Sequence, residues 1–438
     1  MPQYVIIGSG AAGIGATEAI RCHDPKGSIT LICDEPYGYY SRPGLAYYLT
    51  GELVERQLYP FSEQDFQRLM VQRLQGRVTR IHPSERQVQL HDGTTLPYER
   101  LLIATGAMAA GIKLPGIDAD GVFKLDNMGD ARRIVRMARK ARTAVVVGGG
   151  ITALEIVEGL VSRGVKVHYF LRGDRYWSNV LDGVESRIVE NRLREEGVQI
   201  HYHTELAEVL AKKNRVEAVL TKDGRRIRCS MVGIAIGVRP RKQLAETSGL
   251  ETDRGILVDE YLQTSDPDIF AAGDVAQVYD SQTGKTVLDS LWGPAREQGT
   301  VAGYNMSGRL STYQKLMPFN VTRLAHLTTT IIGMVGRGND LDMIGIARGD
   351  SETFRQLPDS IAVQSDFVVN RVRVLIDKHR IIGGIVMGDQ TLSRPILHLA
   401  SRQVDITPIR DQLLQPGASI EDLITQFWIR ARQKHHAA

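Results

Sequence analysis

The chain has 438 residues and a net charge of +4, since 54 lysines and arginines stand against 50 aspartates and glutamates. So small a bias argues against nucleic acid as a partner, and an apolar content of 42 % is that of a folded protein. The 3 cysteines are too few and too far apart for a disulfide scaffold or a zinc cluster, so we expect no metal site. No apolar run reaches the ~18 residues of a membrane span, and no secretory signal precedes the first apolar run, which predicts a cytoplasmic location.

The N-terminal residues predict a strand, a glycine-rich turn, a helix and a second strand. Residues 4–7 and 28–32 are apolar runs typical of buried strands, and residues 11–20 have helical periodicity. The turn between them reads G-x-G-x-x-G, whose glycines permit a tight turn, approach to a pyrophosphate and close helix packing. A carboxylate that binds a ribose is expected about 20 residues further on. The predicted dinucleotide site comprises Gly8, Gly10, Ala12, Gly13, Asp34 and Glu35.

The same unit recurs later in the chain. Residues 143–147 and 165–170 predict strands, and residues 151–163 predict an amphipathic helix between them. The turn of this second unit carries alanine at the third glycine position, where alanine is tolerated. Its predicted binding residues are Gly148, Gly150, Ile151 and Thr152.

The second unit lacks the acid that would bind a ribose diol. Phe170 and Leu171 end its second strand, and Arg172 and Arg175 follow. Because arginine can accommodate a 2′-phosphate, we interpret this as a preference for NADPH over NADH. Two alternatives stay open: Asp174 could bind the diol, or the arginines are ordinary surface residues.

A chain with two predicted dinucleotide folds resembles a known family. The order of motifs is similar to that of the flavoproteins in the pyridine nucleotide–disulfide oxidoreductase superfamily, over about residues 3–310. Besides the two glycine motifs and Glu155, the residues that carry it are Tyr40-Ser41-Arg42-Pro43, Ala104-Thr105-Gly106, Gly237-Val238-Arg239-Pro240 and Ala271-Ala272-Gly273-Asp274. The resemblance implies that the first fold binds FAD and the second binds NAD or NADP.

It also implies an α/β fold like that of glutathione reductase, with two Rossmann-like domains and a C-terminal α+β interface domain. We expect FAD binding in residues 1–112 and 244–312, NAD(P)H binding in 113–243 and the interface domain in 313–438. Within the last, strands are predicted at 360–369, 371–377 and 381–387, and helices at 393–402 and 419–432. The domain often makes a homodimer in the family. Its final helix is apolar and then basic, and packing on its own domain is favoured over contact with a membrane surface.

The resemblance assigns roles to individual residues. Asp274 would bind the ribitol chain, while Arg42 and Pro43 would line the flavin and its pyrophosphate. The helix that carries Glu297 and Gln298 would point its N-terminus at the pyrimidine edge of the flavin. Glu155 would lie near the nicotinamide. An equally good interpretation is that Glu155 forms an ion pair with a neighbour on the helix surface. The remaining expected cofactor contacts are Ala104, Thr105, Gly106, Gly237 and Gly273.

Disulfide reduction by thiol exchange is not expected. Residues 39–48, where disulfide reductases carry a redox cysteine pair, contain no cysteine. The run from Tyr40 to Leu45 is closer to the branch that includes rubredoxin and ferredoxin reductases and the flavin module of nitrite reductase. Some members of this branch have a lysine where this chain has Tyr47, which would either shield the flavin or pack in the core.

The resemblance implies a two-stage reaction. Hydride passes from NAD(P)H to the flavin N5, and electrons then pass to an external acceptor, either a rubredoxin- or ferredoxin-type protein or a quinone. Two alternatives stay open. One is an oxidase that reduces oxygen to peroxide, and the other is a redox-switched flavoprotein that acts through partner binding.

Overall fold

The computed structural model describes residues 2–281, 284–333, 335, 360–366, 370–415 and 417–436. The predicted strand at 360–369 therefore lies only partly within the described residues. No described helix has the length and apolarity needed to cross a membrane.

The first region begins with the predicted strand, helix and second strand, each longer than predicted by one to three residues. Strand β1 pairs in parallel with β2 on one side and β7 on the other, so its residues 4–7 are buried by both neighbours and by the covering helices. The elements are β1 (Gln3–Ile7), α1 (Ala11–His23), β2 (Ser28–Cys33), α2 (Leu45–Thr50), α3 (Glu63–Arg68), β3 (Val71–Gln75), β4 (Val78–His82), β5 (Gln87–Leu90), β6 (Thr95–Pro97), β7 (Arg100–Ile103) and β8 (Ala107–Ala109).

The second region repeats this plan around a parallel sheet of order β12-β11-β10-β16-β9. The predicted strand at 143–147 is confirmed to the residue, and the predicted helix ends two residues early. The elements are β9 (Val122–Phe123), α4 (Met128–Ala138), β10 (Thr143–Val147), α5 (Ile151–Val161), β11 (Lys166–Phe170), α6 (Gly183–Glu195), β12 (Gln199–His201), β13 (Leu206–Lys212), β14 (Arg215–Thr221), β15 (Arg226–Arg228), β16 (Met231–Ile234), β17 (Val238–Pro240) and α7 (Gln243–Thr247).

The third region returns to the first sheet. Its elements are β18 (Ile256–Leu257), β19 (Ile269–Ala271), β20 (Ala276–Asp280), β21 (Lys285–Leu288) and α8 (Trp292–Met306). Strand β19 pairs with β7 and completes a sheet of order β19-β7-β1-β2-β3. Helix α8 crosses α1 so closely that a Cβ on Gly299 would lie 2.0 Å from the Ala12 carbonyl oxygen. Only glycine fits at this crossing.

The last region is the predicted α+β unit. An antiparallel sheet of order β22-β23-β26-β25-β24 is covered by helices, and Ile424 of the final helix is buried in their shared core. The final helix thus packs on its own unit. The elements are β22 (Phe319–Leu324), β23 (Leu327–Gly333), β24 (Ser360–Asp366), β25 (Asn370–Asp377), β26 (Arg380–Met387), α9 (Ser393–Ser401), α10 (Thr407–Leu413) and α11 (Ile420–His436).

A buried ion pair joins this unit to the second region. The Arg373 side chain on β25 donates to both carboxylate oxygens of Glu185 on α6, at 2.8 and 2.9 Å, and to the Val180 carbonyl at 2.7 Å. Arg373 is 4 % exposed and Glu185 is fully buried. Both charges are desolvated, and after the loss of Arg373 the Glu185 carboxylate would keep a longer contact of 3.7 Å with the Arg371 guanidinium.

We expect Arg373→Ala to lower the free energy of unfolding by about 3–5 kcal/mol, since it removes both short hydrogen bonds to the buried Glu185 carboxylate and leaves it the longer contact with Arg371. Urea unfolding followed by circular dichroism measures the loss. The matched control is Arg68→Ala, which removes an exposed pair with Asp65 and should cost under about 1 kcal/mol. Equal losses in the two variants would contradict the assignment.

Candidate functional site

A cavity of about 600 Å³ runs between the two glycine-rich units. Gly10 and Asp34 line it in the first unit, and Thr152 lines it in the second. Asn320 and Arg323 on β22 close it from the C-terminal unit. Residues from three parts of the chain therefore surround one continuous space.

The first glycine motif forms a cradle at the N-terminus of α1. Gly8 has φ +114°, and its Cβ would lie 2.2 Å from the Ala104 carbonyl oxygen. A Cβ on Gly13 would lie 1.9 Å from the Gly8 carbonyl oxygen, whereas one on Gly10 would meet nothing within 4 Å. No side chain caps α1, so its first N–H groups stay available. Ala12 completes the lining, and the cradle fits a pyrophosphate.

The two acids after β2 have different roles. Asp34 is exposed and lines the cavity, as expected of a carboxylate that binds a ribose. Glu35 also lines the cavity, where it pairs with the Arg42 guanidinium and accepts a hydrogen bond from the Tyr40 hydroxyl at 2.7 Å. The structure therefore makes Glu35 a residue that orients Arg42.

Arg42 is held at the cavity wall from two sides. Besides Glu35, it donates to the Asp126 carbonyl oxygen at 2.6 Å, and the Asp126 carboxylate pairs with Arg241 at 2.6 Å. Pro43 follows Arg42 on the same wall. This network fixes two cations along the cavity, where phosphate charge would be neutralised.

The chain leaves the first sheet just before the expected cofactor contacts Ala104, Thr105 and Gly106. Strand β7 stops at Ile103, and Ala104, Thr105 and Gly106 form a loop that lines the cavity. Gly106 has φ +66°, which ends the extended conformation. Gly273 and Asp274, which follow the neighbouring strand β19, also line the cavity.

The second glycine motif starts α5 in the same way. Gly148 has φ +149°, and a Cβ on it would lie 2.0 Å from the Ala235 carbonyl oxygen. Gly150 precedes α5 and caps it without a side-chain hydrogen bond, and Ile151 and Thr152 line the cavity. Gly237 has φ +111° in the turn before β17. Gly148, Gly150 and Gly237 shape the backbone and lie outside the cavity lining.

The loop after β11 separates the two predicted arginines. Arg175 pairs with Asp174 at 3.0 Å and donates to the Ser178 carbonyl at 3.0 Å, so it holds the loop together. Arg172 is exposed, and Leu171 is buried beneath it. Arg172 is the more exposed of the two arginines, and neither belongs to the cavity lining.

Helix α8 meets the cavity through residues other than those predicted. Trp292 and Ala295 in its first turn line the cavity. Gln298 is fully buried and accepts a hydrogen bond from the Gly273 amide at 2.8 Å, which fixes the loop before Asp274. Glu297 is exposed and, like Gln298, lies outside the cavity lining.

Tyr47 faces the cavity, and the C-terminal unit brings a cation to it. The Arg323 guanidinium lies 5.0 Å from the centre of the Tyr47 ring. Arg323 also pairs with both oxygens of Glu52, at 2.8 and 2.5 Å, and these bonds lower the pKa of Glu52 to about 2. Strand β22 thus brings a guanidinium, which is paired with Glu52, to the side of the Tyr47 ring.

Glu155 and Glu158 lie one turn apart on α5, and both line the cavity. Glu158 is 4 % exposed, and its Oε1 accepts a hydrogen bond from the His326 backbone N–H at 3.2 Å. Burial raises the pKa of Glu158 to about 8, since a single backbone hydrogen bond and the more distant Arg323 offset it only in part. A pKa of about 8 favours the protonated form of Glu158 at pH 7.

Sequence reasoning missed Glu158, Arg323 and Trp292. A weak signal existed for Glu158, because it is an acid on an otherwise apolar face of α5, three residues after Glu155. Nothing in the local sequence marks Arg323 or Trp292.

The sequence is similar to that of a protein family and to those of individual known proteins. The sequence profile of the pyridine nucleotide-disulphide oxidoreductase family matches residues 2–299. The chain is 28 % identical to the NADH-dependent phenylglyoxylate dehydrogenase subunit epsilon of Aromatoleum evansii, over 97 % of this chain and 98 % of that protein. It is 33 % identical to the 3-phenylpropionate/cinnamic acid dioxygenase ferredoxin–NAD(+) reductase component of Photorhabdus laumondii, over 70 % of this chain and 77 % of that one.

A solved structure shares the fold across nearly the whole chain. The covalent putidaredoxin reductase–putidaredoxin complex superposes with a TM-score of 0.85 at 24 % identity, over 97 % of this chain and 98 % of that chain.

We expect Glu158→Gln to stabilise the protein relative to wild type at pH 8 and to have little effect near pH 4. Between about pH 4.3, where an unfolded glutamate titrates, and about pH 8, the folded state holds a proton that the unfolded state has lost. Wild-type stability therefore falls with rising pH by about 1.4 kcal/mol per unit from this group, and glutamine removes that loss. Thermal melts across this range measure the difference, and a constant difference would contradict it.

We expect Gly10→Val to fold but to lose FAD. The new side chain clears its neighbours and occupies the space in front of the α1 N-terminus, so FAD affinity should fall at least about tenfold. Flavin absorbance of the purified protein measures retention. The control is Gly111→Val, whose Cβ also meets nothing within 4 Å but which lies outside the cavity lining. A yellow Gly10→Val protein would contradict this site.

Proposed function

The chain belongs to the pyridine nucleotide-disulphide oxidoreductase family, and from that premise we propose that it passes electrons from NAD(P)H to a small iron–sulfur or rubredoxin-type protein. It is an FAD-dependent NAD(P)H oxidoreductase. The observation that supports the choice of acceptor is the cavity itself: it joins both nucleotide units and opens at a rim with exposed apolar side chains.

The residues present fit FAD. The open cradle at Gly10 suits a pyrophosphate, Asp34 suits a ribose diol, and Asp274 lies farther along the same wall. When bound, the flavin accepts a hydride from reduced nicotinamide and gives electrons to a second acceptor.

The chain's own residues would bind and orient the cofactor and would shield it from water. Arg42, held by Glu35 and Asp126, would neutralise phosphate charge, and the α1 N-terminus would donate N–H groups to it. Tyr47 and Arg323 would cover the space beside Glu155 and exclude water from it.

No thiol pair lines the cavity within the described residues. Cys33 lines it alone, beside Asp34 at the end of β2, while Cys22 is exposed and Cys229 is buried. The acceptor in this proposal therefore approaches the flavin directly. This agrees with the chemistry in the name of the Photorhabdus relative, a ferredoxin–NAD(+) reductase component.

The rim of the cavity supports a protein acceptor. Trp292 and Val321 line the cavity and are 47 % and 53 % exposed, and Phe319 is 40 % exposed beside them. Large exposed apolar side chains at a site entrance are typical of docking surfaces. A quinone is the alternative acceptor.

We also propose that the protein is located in the cytoplasm and forms a homodimer.

The test is anaerobic reduction of the purified protein in a stopped-flow spectrometer, followed by mixing with candidate acceptors. We expect NAD(P)H to bleach the flavin rapidly and a rubredoxin or ferredoxin to restore its colour faster than a quinone or oxygen. Fast reoxidation by oxygen alone would support an oxidase. A stable reduced protein with a changed oligomeric state would support a redox switch.

We further propose that NADPH is preferred to NADH. Arg172→Ala should raise KM for NADPH about tenfold, since it removes one charge-assisted contact with the 2′-phosphate, and should leave KM for NADH unchanged. Steady-state kinetics with both nucleotides measures this. Arg226→Ala, an exposed arginine on β15, is the control. Equal effects on both nucleotides, or preference for NADH in the wild type, would overturn the proposal.

A further inference from the structure

Glu158 is a buried acid on the cavity wall that has no ion pair within the described residues. Its Oε1 accepts the His326 backbone N–H at 3.2 Å. The side chain lines the cavity, and Oε2 has no hydrogen-bond partner among the described residues. A carboxyl group in this position has an unused donor when it carries a proton.

The charged and titratable groups around Glu158 do not favour its anion. Glu155 on the same helix and Glu196 after α6 are acids, and Tyr169 on β11 and Tyr176 are neutral phenols. Of the two basic groups, Arg323 is paired with Glu52, and the His326 imidazole lies 3.0 Å from Glu196. Each basic group already has a carboxylate partner, so Arg323 only partly offsets the effects of burial and of like charge on the pKa of Glu158.

We infer that Glu158, carrying its proton, is a binding residue whose Oε2–H donates a hydrogen bond to an acceptor atom of a planar ring bound in the cavity. The acceptor is a carbonyl oxygen or ring nitrogen of the flavin, or the carboxamide oxygen of the nicotinamide. This rests on the proposed function, because it assigns a ligand contact within the same site. Ionised Glu158 would present only lone pairs and would repel that acceptor.

The inference predicts that ligand affinity depends on one proton. Burial raises the pKa of Glu158 to about 8, so affinity should be constant at lower pH and fall by up to about tenfold per unit above it. Glu158→Gln keeps a neutral donor and should bind ligand as the wild type does at pH 7, without the fall at higher pH. Glu158→Ala removes the donor and should bind about fivefold more weakly at pH 7.

The experiment uses the FAD-loaded protein between pH 6 and 9.5. One arm titrates NADP+ and NAD+ and follows the flavin absorbance, and the other measures FAD release by its fluorescence. A pH-dependent loss in the first arm identifies the nicotinamide as acceptor, and a loss in the second identifies the flavin. Glu195→Gln, an exposed acid at the end of α6, is the control and should match the wild type in both arms.

Infrared difference spectroscopy gives a readout independent of turnover. Wild type at pH 7 should show the carbonyl stretch of a protonated carboxyl group, and Glu158→Gln should lack it. The inference is overturned if Glu158→Gln keeps the pH-dependent fall, or if Glu158→Ala binds both ligands as tightly as wild type. These outcomes are separate from failure of the proposed function, which would show as no flavin bleaching by NAD(P)H in the wild type.

Discussion

Three glycines let backbone touch backbone around α1, and the shape of the cavity follows from those contacts. Gly8 lies against the Ala104 carbonyl, Gly13 against Gly8, and Gly299 of α8 against Ala12. Any side chain at these points would come within about 2.2 Å of a carbonyl oxygen and force the elements apart. Because the backbones are in direct contact at these points, the contacts fix the distance between β1, β7 and the two helices. That distance sets the shape of the surface on which a dinucleotide would lie.

The C-terminal unit closes one side of that cavity. Strand β22 supplies Arg323, and the following turn supplies the amide that bonds Glu158. The buried pair of Arg373 and Glu185 anchors the same unit to the second region. The position of the cation beside Tyr47 and the protonation of Glu158 therefore both depend on how this unit docks.

The parts of the site that depend on local chain could be predicted from sequence. The spacing of Gly8, Gly10 and Gly13 and the position of Asp34 follow from one strand–turn–helix unit, and the structure brings Gly10 and Asp34 to the cavity. Glu158 and the amide that bonds it are 168 positions apart, so no local pattern reports their meeting. Glu35 next to Asp34 shows the same limit, since its pairing with Arg42 depends on a loop path that residue type alone does not determine.

The order of strands in the first sheet has a consequence for how the chain acquires its structure. Edge strand β19 pairs with β7 through contacts such as Ile269 with Leu101, and the entire second nucleotide unit lies between them in sequence. On a ribosome, the first sheet must therefore wait with β7 unpaired on that side while the intervening residues are made. Closing so long a loop is entropically costly and slow, and the intervening unit has its own sheet and core with which to fold first. Early folding of the inserted unit shortens the effective loop, so the nucleotide-binding halves are coupled in biogenesis as well as in the finished cavity.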